Sequence, residues 1–246
     1  MRAIVKNNFL PFIARGIANL VDHGAGHVEE VLKKIEELCI ACSETGLRLS
    51  PPERYLLELT AWLHDLGCLI SRENHELESC KLLESIKRDL ILDDEVVRLI
   101  KLLIKFHRKR ARLDSLCRRP PDYLFQQPVR LDLLVALFRL ADACDMGSRS
   151  THAMVGERAP PVLFKAIRSK LPRRSRKHWL VHMACLGTSI NPETGRIAIH
   201  RRDRRAISLL VDELNEEISR VRRILEKYHL PFTKAEIIDH VNERSS

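Results

Sequence analysis

Apolar positions recur every three or four residues along most of this chain, the spacing of helices that bury one face. Val28, Val31, Leu32, Ile35 and Leu38 form one stripe, and Tyr55, Leu56, Leu59, Trp62 and Leu63 a second. Leu82, Leu83 and Ile86 give a third, Val96, Ile100 and Leu103 a fourth, and Leu131, Val135 and Phe138 a fifth. Start and stop residues set the boundaries. Ser50-Pro51-Pro52-Glu53 combines a Ser/Glu capping box with prolines in an opening turn, and Gly67 supplies a stop. Asn74 caps the helix carrying His75, and Asp93-Asp94-Glu95 puts acid where a helix dipole favours it. Pro128 opens a helix from Val129 to about Met146. Residues 1 to 20, around Pro11, read as one short leading helix, and residues 108 to 127 as loop or short turns.

The texture changes further on. Residues 147 to 177 are irregular, with a short helix near 161 to 170 and a basic run from Lys165 to Lys177. Strand-like alternation begins at His178 and Trp179 and runs to Leu186. The stretch Asn191-Pro192-Glu193-Thr194-Gly195 is turn chemistry, and Arg196 to His200 alternates again, so a β-hairpin is expected. A long amphipathic helix follows from Asp203 to about His229, and Thr233 with Glu236 caps a last short helix. The expected fold is mainly α, a helical bundle over residues 1–156 with a small α+β extension, hairpin plus long helix, packed on it over 157–246.

A chain of 246 residues can bury one good core. Its net charge of +9 argues for anionic partners, meaning phosphates, nucleotides or nucleic acid. Seven cysteines, an odd and irregularly spaced set with no signal segment before them, read as reduced thiols of a cytoplasmic protein. Cys39 and Cys42 form a CxxC inside a helical stripe with no second pair, which reads as core. No apolar run reaches membrane-spanning length, so no membrane partner is expected. The exposed face of the long C-terminal helix is a candidate homodimer surface.

The chemistry lies where polar residues interrupt the apolar faces. His27 shares a face with Val31, Ile35 and Leu38, His64-Asp65 ends the second helix, and His107 ends the fourth stripe. Asp142 sits on the buried face of the fifth, where a carboxylate is costly unless paired or bound to metal. His75 is a further candidate. Each has a plain alternative: a hydrogen-bonded core histidine, a helix-terminal polar pair, or an Asp142–Arg139 ion pair. Together they form the set from which a helical bundle builds a metal site with inward-facing side chains.

The order His27, His64-Asp65, Asp142 resembles the HD superfamily of metal-dependent phosphohydrolases, an all-α fold named for that dipeptide. Asp22-His23-Gly24 through His27 looks like the family's first-His segment, and Leu140-Ala141-Asp142-Ala143-Cys144-Asp145 like its terminal Asp segment. The resemblance covers roughly residues 20 to 150. It implies His27, His64, Asp65 and Asp142 as ligands of a divalent ion (Mn, Mg, Ni, Co, Zn or Fe, one or two per site). It maps His75 and His107 onto ligands of a second ion; without that ion, either could act as a general acid. Cys68 stands where the family often has lysine, Arg108 follows a single His107 where two histidines are common, and no GYP signature occurs. These departures count against the cyclic-dinucleotide branch.

Residues and resemblance together point to a metal-dependent phosphohydrolase acting on a phosphomonoester or phosphodiester of a nucleotide-type substrate. Arg108, Lys109 and Arg110 are candidate contacts for substrate phosphate. His23 and Asp145 are candidates to orient the ligands. Two other readings remain, a nuclease on single-stranded nucleic acid and a non-catalytic nucleotide or nucleic-acid binder.

Overall fold

The computed structural model describes residues 1–16, 24–146, 185–201 and 208–239. His23, the short helix near 161 to 170, the basic run from Lys165 to Lys177 and the opening of the hairpin at His178 lie outside the described residues. The protein is mainly α with a small α+β extension. In chain order the helices are α1 (Arg2–Asn8), α2 (Leu10–Gly16), α3 (Ala25–Glu44), α4 (Pro51–Leu63), α5 (His75–Ile86), α6 (Asp94–Phe106), α7 (Asp114–Cys117), α8 (Leu131–Cys144) and α9 (Ser208–Lys227). A 3-10 turn, Leu66–Leu69, joins α4 to α5. The leading segment is thus two short helices rather than one, parted at Phe9, which closes α1 with its N–H on the Val5 carbonyl.

Helix α8 is the axis of the bundle. Leu133 to Phe138, Leu140, Ala141 and Cys144 are buried, and α3, α4, α6 and α9 pack around it. Its start is held by one carboxylate. Ser50 caps α4 in the expected box, its Oγ accepting from the Glu53 N–H while Glu53 Oε2 accepts from the Ser50 N–H at 2.9 Å. Glu53 is 1% exposed, and it also accepts from the Arg130 N–H at 2.9 Å, from Arg130 Nε at 2.8 Å and from Arg130 Nη2 at 2.6 Å. Arg130 is the N-cap residue of α8. Two helix starts are therefore satisfied by one side chain.

Two strands replace the loop expected before α8. β1 (Asp122–Leu124) pairs antiparallel with β2 (Gln127–Val129) through a two-residue turn in which Phe125 and Gln126 take φ of 51° and 61°. Pro128 lies in β2 opposite Tyr123 instead of opening a helix. Proline fits there because a two-stranded ribbon leaves one edge that needs no N–H donor.

In the extension, β3 (Cys185–Ile190) and β4 (Ile197–Arg201) form the expected hairpin, closed by Gly195 at φ 64° with its N–H on the Asn191 carbonyl at 2.8 Å. The last short helix is absent from the described residues. Residues Ala235–Asp239 are instead β5, parallel to β4, with Ile197 opposite Ala235 and Ile199 opposite Ile237. The chain reverses after α9 at His229 (φ 54°), and Asn215 Oδ1 takes the Ala235 N–H at 2.8 Å. That places an Ile-Ile segment along the open edge of β4, where ladder bonds outweigh one turn of capped helix.

Glu53→Gln is expected to cost about 2 kcal/mol at neutral pH, because the half-buried Arg130 guanidinium and two helix starts lose their buried charge partner. Burial alone would raise the Glu53 carboxyl, but Arg130 and the two backbone N–H donors hold it below its ordinary value of 4.5. A depressed carboxyl stabilises fully above that value and progressively less as pH falls through the folded one. The stability gap between the two proteins, followed by urea denaturation, should shrink as pH is lowered below about 4.

Candidate metal centre

Five helix ends meet at one place. His27 lies in the first turn of α3, His64 is the C-cap of α4 with Asp65 next to it, and His75 is the first residue of α5. His107 is the C-cap of α6, Asp142 lies in the last turn of α8, and Asp145 is its C-cap. The close packing of α5 against the 3-10 turn depends on Gly67. Its N–H donates to Ser79 Oγ at 2.7 Å, and that hydroxyl donates to the His64 carbonyl at 2.6 Å. A Cβ on Gly67 would stand 2.1 Å from the His75 carbonyl oxygen and 2.4 Å from the Ser79 nitrogen. Gly67 is therefore required for a close approach rather than as the stop of α4, which ends at Leu63.

The histidines are oriented through their Nδ1 atoms. His64 Nδ1 lies 3.1 Å from the Ala61 carbonyl, His75 Nδ1 2.9 Å from that of Arg72, and His107 Nδ1 close to that of Ile104. Carbonyl oxygens only accept, so in all three rings we assign the proton to Nδ1 and a lone pair to Nε2. His27 Nδ1 makes the same bond to Asp145 Oδ2 at 2.7 Å. Four Nε2 atoms then converge in two pairs, His27 with His64 at 3.2 Å and His75 with His107 at 3.1 Å. Two facing lone pairs repel each other unless a cation or a proton lies between them.

Asp65 joins the pairs. Its Oδ2 is 3.3 Å from His64 Nε2 and 3.7 Å from His27 Nε2, while its Oδ1 is 3.3 Å from His75 Nε2. Asp142 Oδ1 completes the first group, 3.4 Å from His27 Nε2 and 3.8 Å from His64 Nε2. Among the described residues two sets of potential ligand atoms form, the atoms of each within 4.8 Å of one another: His27, His64 and Asp65, and then Asp65, Cys68 and His75. Buried imidazole nitrogens with carboxylate oxygens are a donor set that fits a divalent cation, and this cluster can hold one.

Electrostatics divides the two pairs. Burial opposes charge on His27, but the Asp145 hydrogen bond and the carboxylates of Asp145, Asp142 and Asp65 outweigh it and raise the ring to about 10. His64 is raised the same way against burial, chiefly by Asp65. Asp142 is lowered despite burial by the rings of His64, His27 and His107. On the other side burial wins. His75 is lowered, with the Arg108 guanidinium adding to the effect, and His107 falls to about 4 through burial and the neighbouring His64. Burial, with Asp65 beside it, pushes the Cys68 thiol up.

The three cations after His107 diverge. Arg108 lies against the His75 ring, Nη1 3.0 Å from Nδ1 and 3.4 Å from Nε2, so it meets the ring between the two nitrogens rather than bonding to one, and it reaches the Glu73 carbonyl at 3.3 Å. Arg110 turns to Glu76, with Asn74 Oδ1 at 3.2 Å, so it braces the start of α5. Lys109 is exposed. Cys39 and Cys42 are buried among core residues, their thiols pushed up by burial to about 11 and about 12. Two residues near the centre escaped sequence reasoning. Arg72 sits on the exposed turn before α5, and Cys68 lies in the 3-10 turn; neither belongs to a periodic face. The only signal was that Cys68 occupies the position where the family often has lysine.

Compared with models of protein families, residues 17–237 match the one described as HD-CE. The match runs through the bundle and into the extension. No curated protein matches the chain.

Gly67→Ala should destabilise the protein by about 3 kcal/mol, since backbone on both sides must move. Gly46, at φ 82° with open space around it, offers the control. Gly46→Ala should cost about 1 kcal/mol, from conformation alone. Equal losses in thermal denaturation would contradict the close-approach account.

Proposed function

The chain belongs to the HD-CE family, an HD-type domain that suggests a metal-dependent hydrolase, and on that premise we propose that it hydrolyses a phosphomonoester or phosphodiester of a nucleotide-type substrate. The observation that carries the reading is the gathering of the His27, His64 and His75 Nε2 atoms around the two oxygens of Asp65, with His107 Nε2 paired to that of His75. Such a set would hold two ions, His27, His64, Asp65 and Asp142 around one, and Asp65, His75 and His107 around the other. A divalent ion so placed lowers the pKa of water and polarises a phosphoryl oxygen.

The protein's own groups do the rest. Each Nδ1 contact fixes a ring so that no reorientation is needed on binding. His75 and His107 present acceptors to the centre, which suits ligation better than donation of a proton to a leaving group. Arg108, beside His75, and the exposed Arg72 flank the same end and can take phosphate oxygens. Lys109, out in solvent, adds to the field that draws an anion in. The net charge of +9 supports an anionic substrate without selecting between mononucleotide and nucleic acid.

Purified protein should contain divalent metal by elemental analysis. It should release phosphate from nucleotides or cleave oligonucleotides when Mn, Mg, Ni or Co is supplied. His64→Ala and Asp65→Ala should each lower turnover about a thousandfold, roughly 4 kcal/mol of transition-state stabilisation. Full activity in either variant would overturn the reading, and failure to bind any metal would favour a binding protein. Cleavage of oligonucleotides alone, steeply weakened by salt, would favour the nuclease. Manganese at a hundredfold excess over its dissociation constant should stabilise the fold by about 2.7 kcal/mol, reversed by a chelator.

A further inference from the structure

The two halves of the centre do not offer the same chemistry. Around His27 and His64 the donors are imidazole nitrogen and carboxylate oxygen. On the far side of Asp65, Cys68 enters. It is 5% exposed, sits in the 3-10 turn with its N–H on the Asp65 carbonyl at 2.9 Å, and lies with Asp65 and His75 in a cluster of potential ligand atoms within 4.8 Å of one another. Among the described residues no other cysteine enters such a cluster. A buried cysteine ordinarily acts as a small apolar side chain, as Cys39 and Cys42 do here. Cys68 differs because its neighbours are a carboxylate oxygen and an imidazole nitrogen that are themselves 3.3 Å apart.

We propose that Cys68 supplies a thiolate to the ion on the His75 side, making the two metal positions chemically unlike. The inference rests on the metal-centre reading above. Binding exchanges the thiol proton for the metal: the S–H bond breaks, the sulfur keeps the electron pair and donates it to the cation, and the proton leaves to solvent. With Asp65 Oδ1 and His75 Nε2 on the same ion, and His107 Nε2 3.1 Å from that of His75, the position holds one sulfur, one oxygen and up to two nitrogens. That set favours zinc, ferrous iron or cobalt and disfavours magnesium, whereas among the described residues the His27 side offers no soft ligand.

Cobalt(II) reports sulfur ligation directly, without any assay of turnover. Metal-free full-length protein titrated with cobalt under anaerobic conditions should bind two equivalents. It should develop a sulfur-to-cobalt charge-transfer band in the near ultraviolet that grows with only one of them. Cys68→Ser, close in size, should lose that band, keep the visible cobalt absorption of the other position, and bind one of its two zinc equivalents about a hundredfold more weakly. The magnitude is set by the cost of removing even an outer partner of a ligand, about 10- to 100-fold. Two cobalt ions bound with no charge-transfer band in the unaltered protein would overturn the proposal while leaving the metal centre standing. So would a band that survives in Cys68→Ser. Binding of no cobalt at all would instead overturn the functional reading itself. The spectrum of the unaltered protein decides the matter even if the variant fails to fold.

Discussion

The contact on which the centre depends is the bond from a histidine Nδ1 to a carbonyl three residues back, made by His64 to Ala61, His75 to Arg72 and His107 to Ile104. A helix C-terminus leaves carbonyls without intrahelical partners, and in a buried place each must find a donor. His64 and His107 meet that demand at the ends of α4 and α6. In doing so they fix their own tautomer and aim Nε2 away from the helix. One local bond thus settles backbone satisfaction, ring orientation and ligand basicity together. It also explains why His64 and His107 stand at helix C-termini, since mid-helix carbonyls are already taken.

The parts of the fold and site legible in the sequence are those where a polar residue breaks an apolar period. His27 among Val31, Ile35 and Leu38, and Asp142 below Val135 and Phe138, stood out for that reason, and the structure brings both to His64 and Asp65. Glu53 was legible as half of a capping box but not as the partner of Arg130, because 77 residues separate them and no local pattern encodes the pair. Cys68 and Arg72 lie in turns where no period exists to be broken. The two strand corrections share a cause: Pro128 and the Thr233–Glu236 pair are true helix-start chemistry, overridden by strand partners that only the tertiary arrangement supplies.

The extension is tied to the bundle at both sides of the centre. Lys34, fully buried on α3, donates to the Thr188 carbonyl of β3 at 2.6 Å and to Glu37 at 3.0 Å, while Thr188 Oγ1 donates to the Cys144 carbonyl at 2.8 Å, one residue before Asp145. On the opposite side Arg139 of α8 pairs with Glu217 of α9 through Nε, and its Nη1 reaches toward the carbonyls of Phe106 and Ala111 on either side of His107 and Arg108. The first contact steadies the His27 end and the second the His107 end.

The Arg139–Glu217 pair carries one more implication, about how separable the two parts are. Arg139 and Glu217 are both almost wholly enclosed, and removing one member of an enclosed ion pair leaves a charge that the remaining interior cannot solvate. A bundle cut off before α9 would keep every histidine and aspartate of the centre, yet Arg139, one turn of helix from Asp142, would lose both its counter-ion and the helix packed over it. The bundle encloses a cation whose counter-ion comes from the extension, so the two parts are to be expressed and redesigned as one piece.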